Sequence, residues 1–572
     1  MSLKSPPLIR SAIDSIREEL SGVGAVFYVS ISLVAVFAAL GIFATRELDS
    51  SARTIQDWVT ANFGWMYLVV TTSFVLFALF LAISRFGRIR LGADDETPEF
   101  SFPSWLAMIF SGGMGVGLVF WGVAEPMTHF NEPPLGLVAA HTQEAARLGL
   151  RYAFFHWGFH QWANFAILGL AIAYVRFRHQ SHGLISETLR PLWGSRVDGA
   201  LGNAVDVLTV LSTTFGVATT LGLGALQINS GLARLFNVPY DVSVQLMILA
   251  MIAVMFTASA LTALDQGIRY LSNLNMLLAA TLLLFVLIVG PTSFIASMMT
   301  NTVGEYLDHF VGMSFFTAPF SNEHWVERWT MFYWAWGLSW APFVGTFIAR
   351  ISRGRTIREF VLGVIFVPVL LSVLWFSTFG GTAIYYELQG SPGIATAVSE
   401  EMSSAIFAMF TAMGAGSWLS ILAVVLVVTF VVTSADSATF VLGMFTSKGV
   451  LNPTRLVRVL WGGLQLLVAG VLLLGGGLLT LQTVSIVAAF PFMLLMVLMA
   501  YSLFKDLKAE VDQFDAQERL LLSRLEAFML NEEEREAARV AAEEAHPTAE
   551  EEPPSIAEEE APSESSEARD SE

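Results

Sequence analysis

The feature that most constrains this chain is a series of apolar runs, each near the length needed to cross a bilayer. A transmembrane helix requires roughly 20 largely apolar residues. Such runs lie near 24–44, 64–84, 104–123, 150–175, 203–228 and 242–263, then near 270–298, 326–349, 357–383, 416–445, 456–475 and 480–504. Only 14% of the 572 residues are charged and 54% are apolar, whereas soluble domains carry about 25% charged residues. No soluble core of this length hides so much apolar surface, so the solvent is the bilayer. The absence of cysteine excludes a disulfide scaffold. The first run is too long for a signal-peptide core and no small-residue cleavage site follows it, which predicts a retained helix. The fold class is an all-α polytopic membrane protein of about twelve transmembrane helices.

Cytoplasmic loops hold an excess of Lys and Arg. Here they gather after the second run (Arg85, Arg88, Arg90), the fourth (Arg176, Arg178, Arg190, Arg196), the eighth (Arg350, Arg353, Arg355, Arg358) and the tenth (Lys448, Arg455, Arg458). Residues 300–324 and 384–415 contain none. An even number of spans with positive even-numbered loops places both termini in the cytoplasm. The net charge of −18 has one source: residues 506–572 hold 22 acidic and 6 basic side chains, leaving the membrane body near neutral.

Backbone inside a bilayer must satisfy itself, so unwound stretches are tolerated only where they line a cavity or are buried. Two runs read as interrupted. The third contains Gly112, Gly113, Gly115 and Gly117 in one short window, and the eighth contains Gly337 and Pro342 at mid-depth. Interruptions at matching positions of two halves point to a transporter's midplane site, although Gly113 and Gly117 also fit close helix packing of the GxxxG kind. Tryptophans crowd the same two regions: Trp334, Trp336 and Trp340 in the eighth run, Trp157 and Trp162 in the fourth. Indole faces attract quaternary ammonium, and no acidic residue lies inside the glycine or tryptophan segments, which suits a zwitterionic ligand. In the tenth run, Thr433 and Ser434 precede Asp436. Such hydroxyls could hold a hard cation with freed carbonyls, or simply bond back to their own helix. His156 and His160 stand at i, i+4, but without HExxH or a third clustered ligand they read as hydrogen-bonded helix histidines. No phosphate-binding loop occurs, and the chain reads as neither an enzyme nor a nucleic-acid binder.

Four segments, GGMGVGLVFWGVAEP (112–126), FGVATTLGLGALQ (215–227), WTMFYWAWGLSWAPFVGTFIARISRGRTIREF (329–360) and VTSADSA (432–438), together resemble the betaine/choline/carnitine transporter family. The likeness runs over about 20–505. It implies LeuT-like inverted five-helix repeats with two extra N-terminal helices, a secondary carrier of trimethylammonium and related compatible solutes for osmotic protection, and a homotrimer in the bacterial inner (plasma) membrane. By position it implies a substrate site of Trp157, Trp162, Phe165, Trp336 and Trp340 over Gly113, Met114, Gly115 and Gly117. Gly117, where choline carriers tend to have an acidic residue, resembles betaine-type carriers. One sodium ion is implied at Thr433 and Ser434 with carbonyls of Ser111, Met114 and Phe430, and a second, weaker site at Thr213 and Phe343. No other cofactor is implied; the partners are the solute, sodium and membrane lipid.

Two departures qualify the resemblance. Gly337 stands where a second tryptophan is usual and Phe165 where tyrosine is frequent, so the expected pocket is roomier and open to ectoine, proline or a sulfonium solute. Val217 replaces a hydroxyl of the second sodium site, leaving single-ion or proton coupling as an alternative. A membrane enzyme or an osmosensor is the reading from another class. The expected organisation is a cytoplasmic N-terminus (1–23), two peripheral helices (24–84), a first repeat (104–298), a surface amphipathic helix (300–313), a second repeat (326–504), a cytoplasmic helix (505–545) and an acidic disordered tail (546–572).

Overall fold

The computed structural model describes residues 16–545 other than 114, 262–264, 322 and 391–392; the expected acidic tail at 546–572 and most of the N-terminal segment lie outside these. Among the described residues the regular structure is helical, with one isolated bridge between Arg90 and Thr356. The helices are α1 (Ala25–Phe43), α2 (Thr45–Ile83), α3 (Phe102–Gly113), α4 (Val116–Asn131), α5 (Gln143–His156) and α6 (Phe159–Ala173). Then come α7 (Ala200–Phe236), α8 (Val242–Leu261), α9 (Asp265–Val289), α10 (Thr292–Ser314), α11 (Phe332–Ile351) and α12 (Ile357–Leu388). Two short outer helices, α13 (Ile394–Glu400) and α14 (Ala405–Ala412), precede α15 (Gly416–Thr446), α16 (Arg455–Gly476) and α17 (Leu478–Ala545).

Eight of these, α1, α2, α7, α9, α12, α15, α16 and α17, are long and apolar enough to cross a bilayer. The other four apolar runs form the α3–α4 pair, the α5–α6 pair, α8 and α11. The protein is therefore an all-α, multi-pass membrane protein. Small residues bring its helices together, as expected where lipid removes the hydrophobic drive between them. A Cβ on Gly345 of α11 would lie 2.8 Å from Leu168 and 3.0 Å from the Gly169 nitrogen of α6. One on Gly224 of α7 would lie 2.3 Å from Val431 of α15.

Several expected boundaries move. The eighth run is not interrupted: α11 runs through Gly337 and Pro342 to Ile351, entered by a π-helical turn at Glu327–Met331. Pro342 only removes one amide donor, and the helix continues past it. The fourth run breaks instead, at Trp157 and Gly158 between α5 and α6. A Cβ on Gly158 would meet the Phe154 carbonyl at 2.3 Å and the Tyr306 hydroxyl at 2.5 Å, so only glycine fits that corner. The seventh run stops at Val289, before Gly290 and Pro291, and the expected 300–313 helix is the second half of α10. The expected 505–545 helix is continuous with the last span in the 68 residues of α17. The chain divides into two compact units, Met1–Lys508 and Ala509–Glu572; in the second, every described side chain from Ala516 to Ala545 is exposed.

The basic loops meet at one end of the bundle. Leu91 donates to the Arg355 carbonyl at 2.8 Å, Gly354 to that of Leu91 at 2.8 Å, and Ile357 to that of Ile89 at 2.9 Å. Arg178 donates to the Gly92 carbonyl at 2.8 Å and ion-pairs with Asp94 at 2.6 Å. Lys505 reaches the Pro191 carbonyl at 2.7 Å. The loops after the second, fourth and eighth runs thus share one face, as their charge requires. Thr356 and Glu359 form a reciprocal capping box that starts α12 from this knot.

Arg355 ties the knot. It is 5% exposed, donates to the Phe100 carbonyl at 2.6 Å and lies over Trp105 at 4.9 Å. Burial pulls its pKa below the usual guanidinium range. Hydrogen bonds to charged groups contribute about 1.5–3 kcal/mol. Replacing Arg355 with Ala should lower the melting temperature of the purified protein measurably, and an unchanged melting curve would contradict this role.

Candidate functional site

The glycine window builds the site. α3 ends at Gly113 and α4 begins at Val116, with Gly115 (φ −151°, ψ −145°) outside the helical range. What the glycines admit is indole, not another helix backbone. A Cβ on Gly113 would lie 2.3 Å from Trp162, and one on Gly117 would lie 2.5 Å from Trp336 and 2.9 Å from Trp157. Gly115 is nearest to Ser434 and Trp340, each 3.8 Å from where its Cβ would be. Met114 lies outside the described residues.

Four indoles and one phenyl ring surround this stretch. Trp157 meets Trp336 edge-on with centroids 6.0 Å apart, Trp336 lies 6.3 Å from Trp340, and Phe165 stands between Trp162 (5.5 Å) and Trp340 (6.4 Å). The Trp336 N–H donates to the Gly216 carbonyl and to the Thr220 hydroxyl, both at 3.3 Å, which fixes its plane. The space enclosed is about 20 Å³, room for about one water. A larger ligand enters only if the rings part. The expected extra room at Gly337 is not there. A Cβ on Gly337 would lie 2.1 Å from the Gln161 amide oxygen, so the Gln161 side chain fills what a second tryptophan would occupy. That oxygen is buried and, among the described residues, without a hydrogen-bond partner.

Beside Trp340 a second cavity of about 90 Å³ is lined by Gly112, Ser272, Asn275, Trp340, Phe430, Thr433 and Ser434 among others. The Thr433 hydroxyl donates back to the Thr429 and Phe430 carbonyls at 3.0 and 3.1 Å and accepts from Asn275 at 3.0 Å. One lone pair remains for a cation. Phe343 lines this same cavity. Thr213 does not; its hydroxyl donates to the Thr209 carbonyl at 2.7 Å. Ser111 lies in α3, with its side chain outside the described set. Asp436 faces elsewhere, ion-paired with Arg458 at 2.9 Å.

A third cavity of about 280 Å³ shares Phe343, Phe347 and Ser437 with the second and reaches Arg176, Arg350 and Arg458. The three cavities form a path from the indoles toward the basic end. On the opposite side Glu125, His129 and His156 are buried completely. His156 Nδ1 lies 2.6 Å from Glu125 Oε1, its Nε2 lies 2.9 Å from the Thr330 hydroxyl, and the Trp157 N–H donates to Glu125 Oε2 at 2.9 Å. His129 Nε2 is 3.6 Å from Oε1. These three residues bring ligand atoms within 4.8 Å, close enough for a metal, but hydrogen bonds already account for Glu125 and His156. His160 lies past the α5–α6 break and bonds to Ser314 and Thr72 at 3.0 and 3.3 Å. A further cavity of about 650 Å³ between Phe74, Phe77, Tyr501 and Phe504 is apolar and shares no lining residue with the other three.

Gln161, Asn275 and Glu125 were not singled out as site residues by the sequence. The first two are polar side chains inside apolar runs, a signal that marks them only in hindsight of which face they present.

Comparison with known proteins gives the family. Residues 25–512 match the family described as betaine/carnitine/choline family transporter. The chain is 46% identical over 504 residues to a glycine betaine transporter of Bacillus subtilis, covering 88% of this chain and 98% of that one. It is 45% identical over 493 residues to an ectoine/hydroxyectoine transporter of Virgibacillus pantothenticus (85% and 98% covered). To a high-affinity choline transport protein of Escherichia coli it is 38% identical over 492 residues (85% and 72% covered). All three relatives are transporters rather than enzymes.

The glycine contacts generate a direct prediction. Gly117→Ala should push Trp336 and Trp157 apart and weaken solute uptake at least about tenfold, the scale of one lost cation–π contact. Gly381→Ala, with nothing within 4 Å of its Cβ, should transport normally. Equal uptake by the two variants would contradict the glycine–indole contact.

Proposed function

The chain belongs to the betaine/carnitine/choline family of membrane transporters, and from that footing we propose that it imports a glycine betaine-like compatible solute, driven by sodium, by alternating access. The observation that carries the reading is the unwound stretch of the third run lying against Trp157, Trp162, Trp336 and Trp340. A trimethylammonium group among desolvated indoles gains about 2 kcal/mol or more from each favourable face. The rings supply this attraction with no acid in the lining, which suits a solute carrying its own carboxylate and needing release.

Sodium binds, in this reading, at Thr433 and Ser434 with the carbonyls of Phe430, Ser111 and Met114. The 90 Å³ cavity beside Trp340 supports it. Because the ion and the cage share the α3–α4 break, sodium raises solute affinity and the solute raises sodium affinity by the same factor. A single ion is favoured, since Val217 offers no side-chain oxygen where the second site needs a hydroxyl. The path from the cage to the basic end is the inward-open half of the cycle, with that end and both termini in the cytoplasm of a bacterial inner membrane. The two five-helix repeats are 104–298 and 326–504, the carrier assembles as a homotrimer, and lipid acyl chains fill the 650 Å³ apolar groove.

Gln161 favours a second reading. Its unpartnered amide oxygen beside Gly337 can accept from a solute N–H, which glycine betaine lacks and an ectoine-type ring has. Competition by a panel of compatible solutes against labelled glycine betaine separates the two.

Two variants test the mechanism. Trp340→Leu should weaken solute affinity about 30-fold, the equivalent of about 2 kcal/mol, with normal amounts in the membrane. Thr433→Ala should raise the sodium half-saturation several-fold. An unchanged sodium dependence in Thr433→Ala, or uptake that only equilibrates across the membrane, would count against sodium coupling.

A further inference from the structure

Glu125 is the buried group that the transport scheme leaves unused. It lies in α4, two turns beyond the glycine window, and is completely buried. Ionisable residues at such depth are costly and tend to be functional. Both its oxygens are engaged. Oε2 accepts the Trp157 N–H at 2.9 Å, a group that can only donate. Oε1 faces His156 Nδ1 at 2.6 Å, and His156 Nε2 faces the Thr330 hydroxyl at 2.9 Å. A neutral imidazole meets both contacts with its proton on Nδ1. Among the described residues no Lys or Arg pairs with Glu125; its ion-pair neighbours are His156 and, at 3.6 Å, His129.

We propose that Glu125 is a positioning residue that acts through Trp157 as the counter-charge of the cage. This rests on the reading that the Trp157 face receives the solute's cationic head. The residues lining the cage include no acid, yet Trp157 is both one of its walls and the hydrogen-bond donor to Glu125. An indole N–H held by a carboxylate is polarised: electron density moves into the ring and its face becomes more negative. The charge-assisted bond also locks the ring plane. The position has a further consequence for specificity. A carboxylate inside the pocket would repel the carboxylate of a zwitterion. Placed behind the indole, the same charge favours the cationic head and is kept away from the anionic end. The cage therefore selects permanent cations, quaternary ammonium or sulfonium, over neutral groups of the same shape.

The test compares two competitors of labelled glycine betaine uptake: unlabelled glycine betaine and its isostere, the tert-butyl-substituted acetate in which carbon replaces nitrogen. Glu125→Gln keeps the size and a carbonyl acceptor for the Trp157 N–H but removes the charge. It should weaken competition by glycine betaine roughly tenfold, about one cation–π contact, and leave the isostere unchanged, so their ratio narrows. Trp157→Phe keeps a ring without the N–H and should narrow the ratio likewise, with the double variant no worse than the more affected single one. That second variant serves if Glu125→Gln does not reach the membrane. An unchanged ratio in either variant, or equal weakening of both competitors, overturns the inference while leaving the cage intact. If the unmodified protein does not prefer glycine betaine to the isostere, the cage reading itself fails, and the inference falls with it.

Discussion

The close approach of glycine backbone to indole rings at the α3–α4 break is the contact on which the rest of the site depends. Side chains at Gly113 or Gly117 would overlap Trp162, Trp336 and Trp157. With glycine there, the membrane helix unwinds without steric cost, and its break is covered by aromatic surface rather than by lipid. The same break brings Gly115 toward Ser434 and Trp340. One local choice of residue thus places the aromatic cage and the hydroxyl pair of α15 side by side, which is what coupling between a solute and an ion requires.

Charge is arranged around this centre in two layers. A group of formal positives gathers at one end, where Arg90, Arg178, Arg355 and Arg358 bind backbone carbonyls of neighbouring segments. Those bonds make the basic loops a single structural knot as well as a topological signal. Deeper in the bundle, Asp436 is paired with Arg458, and Glu125 is held by His156 and Trp157. The cage is lined by aromatic rings, glycines, Leu118 and the Gln161 amide, with the Glu125 carboxylate behind Trp157.

Much of the fold was legible in the sequence because a bilayer leaves a chain few options. The apolar runs gave the spans, the arginines gave their alternation, and the glycine window marked the break between α3 and α4. Other features depend on packing that no single run encodes. Proline and glycine in the eighth run predicted an interruption, but α11 stays helical because Pro342 costs only one hydrogen bond and Gly337 makes room for Gln161. The second break falls instead at Gly158, where the Tyr306 hydroxyl presses from a distant helix. The tryptophans were found, yet Gln161, Asn275 and Glu125 were not singled out for the site, since their roles rest on what they face. The strong helix formers after 505 are helical, as their composition predicts.

In the proposed mechanism the cationic head of the solute sits among Trp157, Trp336 and Trp340 above the glycine break. A cryo-electron microscopy map of the purified protein with saturating glycine betaine and sodium tests it most directly. The expected result is solute density with its trimethylammonium group enclosed by those three indoles, and rings parted from their positions in the closed cage. Solute density elsewhere, in the arginine-lined cavity for example, with the indoles still in contact around their small central space, would contradict it.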